Sequence, residues 1–110
     1  MRLAAMFSTL VISGACASLA ADREISDFSE IAANVDRPVV VTGYISQSHE
    51  ASGLYFSLRD LDAENDRCIV PMSLERFRHR QRVTLTGTLT RTECGERLIC
   101  TNTCDKFELM

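Results

Sequence analysis

The chain has 110 residues, with 12 Lys+Arg against 15 Asp+Glu, a formal net charge of −3, five cysteines and no tryptophan. That length allows one small domain, and a net acidic chain without tryptophan does not suit the strongly basic, aromatic-rich class of nucleic-acid readers. It has no Gly-rich phosphate loop, paired-carboxylate signature or nucleophile elbow, so neither an enzyme nor a cofactor is expected.

Residues 1–21, "MRLAAMFSTLVISGACASLAA", begin with a basic Arg2, continue as an apolar run over 4–12 broken only by Ser8 and Thr9, and close on small residues. This is the layout of a secretory signal peptide cleaved before Asp22 or nearby. The run is short of the ~20 residues a spanning helix needs, so no stable membrane span is expected. The absence of any Asp or Glu before Asp22 argues against a core helix. Cys16 in "SGAC" offers a lipid-modified cysteine, but Ser13 stands where that pattern has leucine. Cleavage removes Arg2 and Cys16 and leaves 11 of the 12 basic residues, all 15 acidic ones and four of the five cysteines. An even cysteine count in a small exported chain predicts a disulfide framework of Cys68, Cys94, Cys100 and Cys104. The expected product is a periplasmic or secreted monomer over 22–110.

Ile25, Phe28, Ile31, Ala32 and Val35 recur at helical spacing. They predict a short amphipathic helix over 26–34, capped by Asp22 or Ser26 and ended before Pro38. The period then changes to two. "PVVVTGYIS" places Val39, Val41, Gly43 and Ile45 on one face and Tyr44 on the other. "GLYFSLRD" points Leu54, Phe56 and Leu58 inward and Tyr55, Ser57 and Arg59 outward. "DLDAEND" reads as a solvated hairpin loop. Asp60, Asp62 and Glu64 have calcium-loop spacing, but Asn65 replaces the turn glycine and Pro71 the final acid, so no metal is expected. "RCIVPM" is a third strand ended by Pro71. In "SLERFRHR", Ser73 caps a short helix with Leu74 and Phe77 inside. "RVTLTGTLT" alternates Val83, Leu85, Gly87 and Leu89 against threonines, and "ERLICTNTCDKFEL" is a fifth extended segment. Such alternation marks strands half-buried in an antiparallel sheet.

Five strands with a helix between the third and fourth form the layout of the OB-fold. Residues 38–110 resemble the OB-fold nucleic-acid-binding domains of the anticodon-binding type. "VVVTGYI", "LYFSLRD", "VTLTGTLT" and "CDKFEL" stand where that family has its first, second, fourth and fifth strands. The resemblance implies a mostly β protein, a five-stranded Greek-key barrel with a short N-terminal helix and a short helix between strands three and four. Gly43 and Gly87 mark strand bends.

The family's binding surface is the outer face of its second and third strands. Carried onto this sequence, it implies that Tyr44, Tyr55, Ser57 and Arg59 meet an oligonucleotide, an oligosaccharide or a small anion, the tyrosines stacking on its rings. The plainer reading is that the tyrosines cover a half-exposed sheet while Arg59 pairs with Asp60 or Asp62. "RFRHRQR" holds four arginines in residues 76–82. Its Arg76 and Arg78 could grip phosphates or the acidic patch of an exported protein partner; more simply, the run is the solvated face of a short helix. His49 and His79 stand near no nucleophile.

Neither zinc nor redox spacing of the Cys-x-x-Cys kind occurs. The third and fifth strands of an OB barrel are neighbours, so the resemblance lets Cys68 face Cys100 or Cys104. Cys94–Cys100 with Cys68–Cys104 is the preferred pairing. Cys68–Cys100 is the alternative if Cys94 and Gly95 form a hairpin turn. N-terminal sequencing of the exported product is expected to begin at Asp22 or close to it; a soluble product that retains Met1 would refute the leader.

Overall fold

Residues 22–93 and 100–110 are described by the computed structural model; the expected signal peptide, Cys94 and the start of the fifth extended segment lie outside the described residues. The strand-rich pattern of the sequence yields a mostly β protein. Its elements in order are β1 (Arg23–Ile25), β2 (Pro38–Ser48), β3 (Ala51–Tyr55), the helix α1 (Leu58–Ala63), β4 (Cys68–Pro71), β5 (Arg82–Arg91) and β6 (Phe107–Leu109).

β2 organises the sheet. Its alternate residues Val39, Val41 and Ile45 are fully buried, and it has three partners. One edge pairs antiparallel with β5, from Pro38 opposite Thr88 to Tyr44 opposite Arg82. The other edge pairs parallel with β1 up to Val41, then antiparallel with β3 from Tyr44 onward. Gly43 sits at this change of partner. A Cβ there would lie 2.2 Å from the Tyr55 carbonyl oxygen and 2.6 Å from Leu54 Cδ2, so only glycine lets the strands approach so closely. β3 continues antiparallel to β4, β4 runs parallel to β6, and β6 is antiparallel to β5. The order is β1-β2-β3-β4-β6-β5, with β5 returning to β2.

Alternation sends the side chains of β2, β3 and β4 into two separate cores. Ile45, Leu54 and Ile69 join Val39, Val41, Leu89 and Leu109 in the larger one. Tyr55 and Cys68, one residue out of step, join Ala51, Leu61 and Cys104 on the opposite face. That second face is closed by the segment before β6. The Asn102 side-chain amide imitates a strand partner: it accepts the Ser52 N–H at 2.9 Å and donates to the Ser52 carbonyl at 2.8 Å. The Thr103 N–H donates to the Glu50 carbonyl at 2.8 Å. Cys104 then lies over β3 and is bonded to Cys68, Cα to Cα 5.1 Å, across 36 residues of chain. This pairing excludes the alternative Cys68–Cys100. Cys100 is itself disulfide-bonded, and its partner lies outside the described residues.

Several expected elements differ. No helix spans 26–34; β1 is followed by two three-ten turns, Phe28–Glu30 and Ala32–Asn34, without a side-chain cap from Asp22 or Ser26. Ile25 is the last residue of β1 while Ile31 packs from between the turns, and so short a segment gains little from helical cooperativity. β1 makes the sheet six-stranded rather than five-stranded. The second strand stops at Tyr55, and the expected acidic hairpin loop is largely α1. The helix before β5 is a three-ten turn, Leu74–Arg76. Ser73 adopts φ 56° there without a side-chain cap bond, though Leu74 and Phe77 do pack on the main core. Of the fifth extended segment, Phe107–Leu109 is strand.

A Cβ on Gly53 would stand 2.6 Å from the Ile69 carbonyl oxygen and 2.8 Å from both Cβ and Sγ of Cys104. Gly53→Ala should therefore cost about 1–3 kcal/mol through overpacking. Denaturant unfolding under non-reducing conditions measures this, and an unchanged midpoint would mean that Cys104 does not rest on β3.

Candidate functional site

The outer face expected to hold Tyr44, Tyr55, Ser57 and Arg59 is largely occupied by the protein itself. Ser57 caps α1: its hydroxyl accepts the Asp60 N–H at 3.1 Å, which satisfies one of the unpaired donors at the helix start. Glu64, at φ 50°, ends the helix. α1 thereby sets Leu61 on the second core against Tyr55. Tyr55 is 0% exposed, and its hydroxyl donates to the Asn65 carbonyl at 2.6 Å. Burial, reinforced by the charges of Glu64, Asp60 and Asp66, pushes its phenol up to about 12. Tyr55 thus cannot stack on a ligand, a correction with a plain cause: the half-buried strand expected from alternation has a lid on its outer side.

Tyr44 is half-buried and lies between Tyr55 and Arg82 in register. Arg59 is exposed on α1. It does not pair with Asp60 or Asp62, whose partners are Arg67 at 3.3 Å and Arg80 at 2.5 Å. Hydrogen bonds from Asn65, then Arg67 and Ser57, hold the Asp60 carboxyl below its usual range against partial desolvation. Arg67 also lies over the Phe28 ring at 5.3 Å, tying the N-terminal turns to α1.

The basic run is a fastened loop rather than a helix face. Gln47 of β2 holds it: its side-chain amide donates to the carbonyls of Leu74 at 2.8 Å and Phe77 at 3.0 Å. The Gln47 N–H donates to His79 Nδ1 at 3.0 Å. The Ile45 N–H donates to the Gln81 carbonyl at 2.9 Å, and the Arg80 N–H donates back to the Ile45 carbonyl. Arg80 takes a left-handed φ of 71°, which turns the chain into β5. Arg76 stacks over Phe77 at 4.8 Å. The Arg78 main chain is fixed by Gln81 Oε1 at 2.9 Å, while its side chain is exposed.

Gln47 carries no role in the sequence reading, and His79 stands there only as a histidine near no nucleophile. A signal for Gln47 exists: it continues the inward series Val39, Val41, Gly43, Ile45, and a polar residue at the end of an apolar period marks a contact with whatever closes the sheet. His79 carries no such signal.

The structure thus separates Tyr55 and Ser57 from the expected site and gathers others. The Asp62–Arg80 ion pair joins α1 to the basic loop. Arg59, three residues before Asp62, shares its side of the helix. Arg59, Arg76, Arg78 and Arg82 are exposed and form no ion pair among the described residues. No cluster of three metal-ligating side chains occurs among the described residues, and no helix there is long and apolar enough to cross a membrane. Among the described residues, grooves of about 160 and 90 Å³ flank β6, well below the roughly 300–1,000 Å³ of small-molecule sites. No protein-family model, curated protein or solved structure matches the chain.

Because the folded state favours the protonated Tyr55 phenol, whose ordinary value is 10.0, the group's contribution is complete below that pH. It is lost as pH rises from 10 towards about 12. Tyr55→Phe should remove this alkaline decline and, by deleting the bond to Asn65, lower stability at neutral pH by about 1 kcal/mol. Denaturant unfolding across the alkaline range tests both. An identical decline in the variant would assign it to other groups.

Proposed function

We propose that this protein is a non-enzymatic exported module of the OB-fold type that docks on an acidic surface of another exported protein through its arginine loop, residues 76–82. The observation that carries the reading is a contrast of two surfaces. The face on which OB domains stack rings is filled by Tyr55, Leu61 and Cys104, whereas Arg76, Arg78 and Arg82 stand exposed on a loop fixed from below by Gln47. Arginines free of ion pairs among the described residues, on a loop whose main chain is pinned, suit recognition of carboxylates, since less backbone freedom is lost on binding.

Support for the OB-fold reading comes from the strand succession β2-β3-β4-β6-β5, the return of β5 to β2 and the parallel pairing of β4 with β6. The Cys68–Cys104 disulfide is compatible with an oxidising compartment, and the proposed second bridge is Cys94–Cys100. A ligand-binding role toward an oligonucleotide, oligosaccharide or small anion would rest on Tyr44 beside Arg82 alone.

The test is capture from an exported-protein extract on the immobilised mature protein, compared with an Arg76→Ala, Arg78→Ala variant. The wild type should retain an acidic partner that elutes as salt rises, because exposed charge pairs are screened. The variant should retain about tenfold less, the loss of one or two charge-assisted contacts. Equal retention by both would refute the loop as the docking surface. Selective retention of oligonucleotides or glycans by the wild type would move the reading to the ligand-binding class.

A further inference from the structure

β5 is paired on one edge from Arg82 to Leu89 and on the other only from Thr88 onward. Odd-numbered residues face β2: the Leu89 N–H donates to the Arg37 carbonyl and the Asp36 N–H to the Leu89 carbonyl. Even-numbered residues face β6: Thr88 and Met110 exchange both main-chain bonds, at 2.9 and 3.1 Å, and Thr90 lies opposite Glu108. By the same alternation, Thr84 and Thr86 direct their N–H and C=O groups away from β2, into the edge that β6 covers only from Thr88 onward. Among the described residues nothing pairs with these groups.

The inner side of this edge is also incompletely covered. Val83 and Leu85 point towards the main core yet are only half-buried, whereas Val41, opposite Leu85 on β2, and its neighbour on the same face, Val39, are 0% exposed. Beside the edge runs a groove formed by Pro71, Met72, Arg76, Leu85, Thr86 and Met110, with Met72 and Met110 about 60% exposed.

We propose that this edge of β5 takes an extended segment of a partner protein as an added strand, with apolar residues alternating with acidic ones. The inference rests on the reading above that the domain docks on an exported protein, and it names the mode. An added strand would pair with the free main-chain groups of Thr84 and Thr86. Its inward side chains would cover Val83 and Leu85 and enter the groove beside Met72 and Met110. Its outward side chains would pass Arg82 on β5, and Arg76 lines the groove at the same edge. Two charges of one sign at this edge favour carboxylates in the incoming strand. They disfavour a second copy of this chain, which would bring two arginine-rimmed edges together.

The probe is a labelled, end-capped hexapeptide of alternating valine and glutamate, titrated against the full mature protein by fluorescence anisotropy. It should bind saturably, whereas the same peptide with N-methyl groups on alternate residues should bind at least about tenfold more weakly, having lost its edge donors. Thr86→Pro removes an edge-facing donor without removing an internal bond, and proline is tolerated on an open edge. It should weaken the unmodified peptide by about tenfold while circular dichroism remains native. If that variant does not fold, the N-methylated peptide alone decides.

Absence of saturable binding, or equal binding of the two peptides, overturns the proposal. Loss of binding on Arg76→Ala with no effect of Thr86→Pro or of N-methylation refutes strand addition and leaves arginine docking standing. The reverse pattern refutes arginine docking and leaves the edge. Concentration-dependent self-association in sedimentation equilibrium that Thr86→Pro abolishes, without peptide binding, would assign the edge to a second copy and overturn the proposed partner.

Discussion

Cys104 resting on Gly53 and bonded to Cys68 is the contact on which the remaining architecture depends. A domain of this size buries too little in one core to be secure. Seating the segment before β6 on the outer face of β3 creates a second core from Tyr55, Leu61, Ala51 and the two sulfurs. The disulfide contributes roughly 2–4 kcal/mol by restricting the unfolded chain, and the 36 residues it spans include β4, the arginine loop and β5. The glycine is required because β3 must carry side chains at Tyr55 and Ala51 yet leave a flat place between them for Cys104. The Asn102 amide supplies the main-chain bonds that a missing strand neighbour would otherwise leave open at Ser52.

That arrangement decides where binding can occur. With the outer face of β3 covered, the tyrosine most suggestive of ring stacking becomes structural, and its hydroxyl serves Asn65 rather than solvent. What stays accessible is the loop beside the C-terminal end of β2, where Gln47 fixes the arginines and Asp62 of α1 meets Arg80. The two proposed modes, arginine docking and strand addition, meet at the junction of that loop with β5, since Arg82 is both the end of the loop and the first residue of the strand.

The alternating strands were legible because one signal dominates them. In β5 apolar residues and Gly87 alternate with threonines, in β2 the buried positions Val39, Val41, Gly43 and Ile45 recur every second residue, and no local feature competes. The acidic run failed because the alternation of Leu54, Phe56 and Leu58 continues past the end of β3. A second signal within it, Ser57 followed three residues later by Asp60, is the spacing of a helix start. It was present and outweighed by the period-two pattern. The N-terminal segment failed for the opposite reason. Ile25, Phe28 and Ile31 have helical spacing, but tertiary packing divides them between an edge strand and two separate turns. The burial of Tyr55 could not be read locally at all, because it depends on Cys104, 49 positions further along the chain.

The charge pattern fits a division between acids that hold the fold and arginines that do not. Asp60, Asp62 and Asp66 meet Arg67, Arg80 and Lys106. These pairs lie at the surface, where each contributes about 0–1 kcal/mol at most, so their main effect is placement: they orient α1 against the loop and the C-terminal segment against β4. Arg59, Arg78 and Arg82 take part in none of them, and truncating them should hardly affect stability. A net acidic protein can still attract a carboxylate-rich partner, because association depends on the field near the contact rather than on the total charge. The exposed arginines on a loop pinned by main-chain and Gln47 hydrogen bonds provide such a local field.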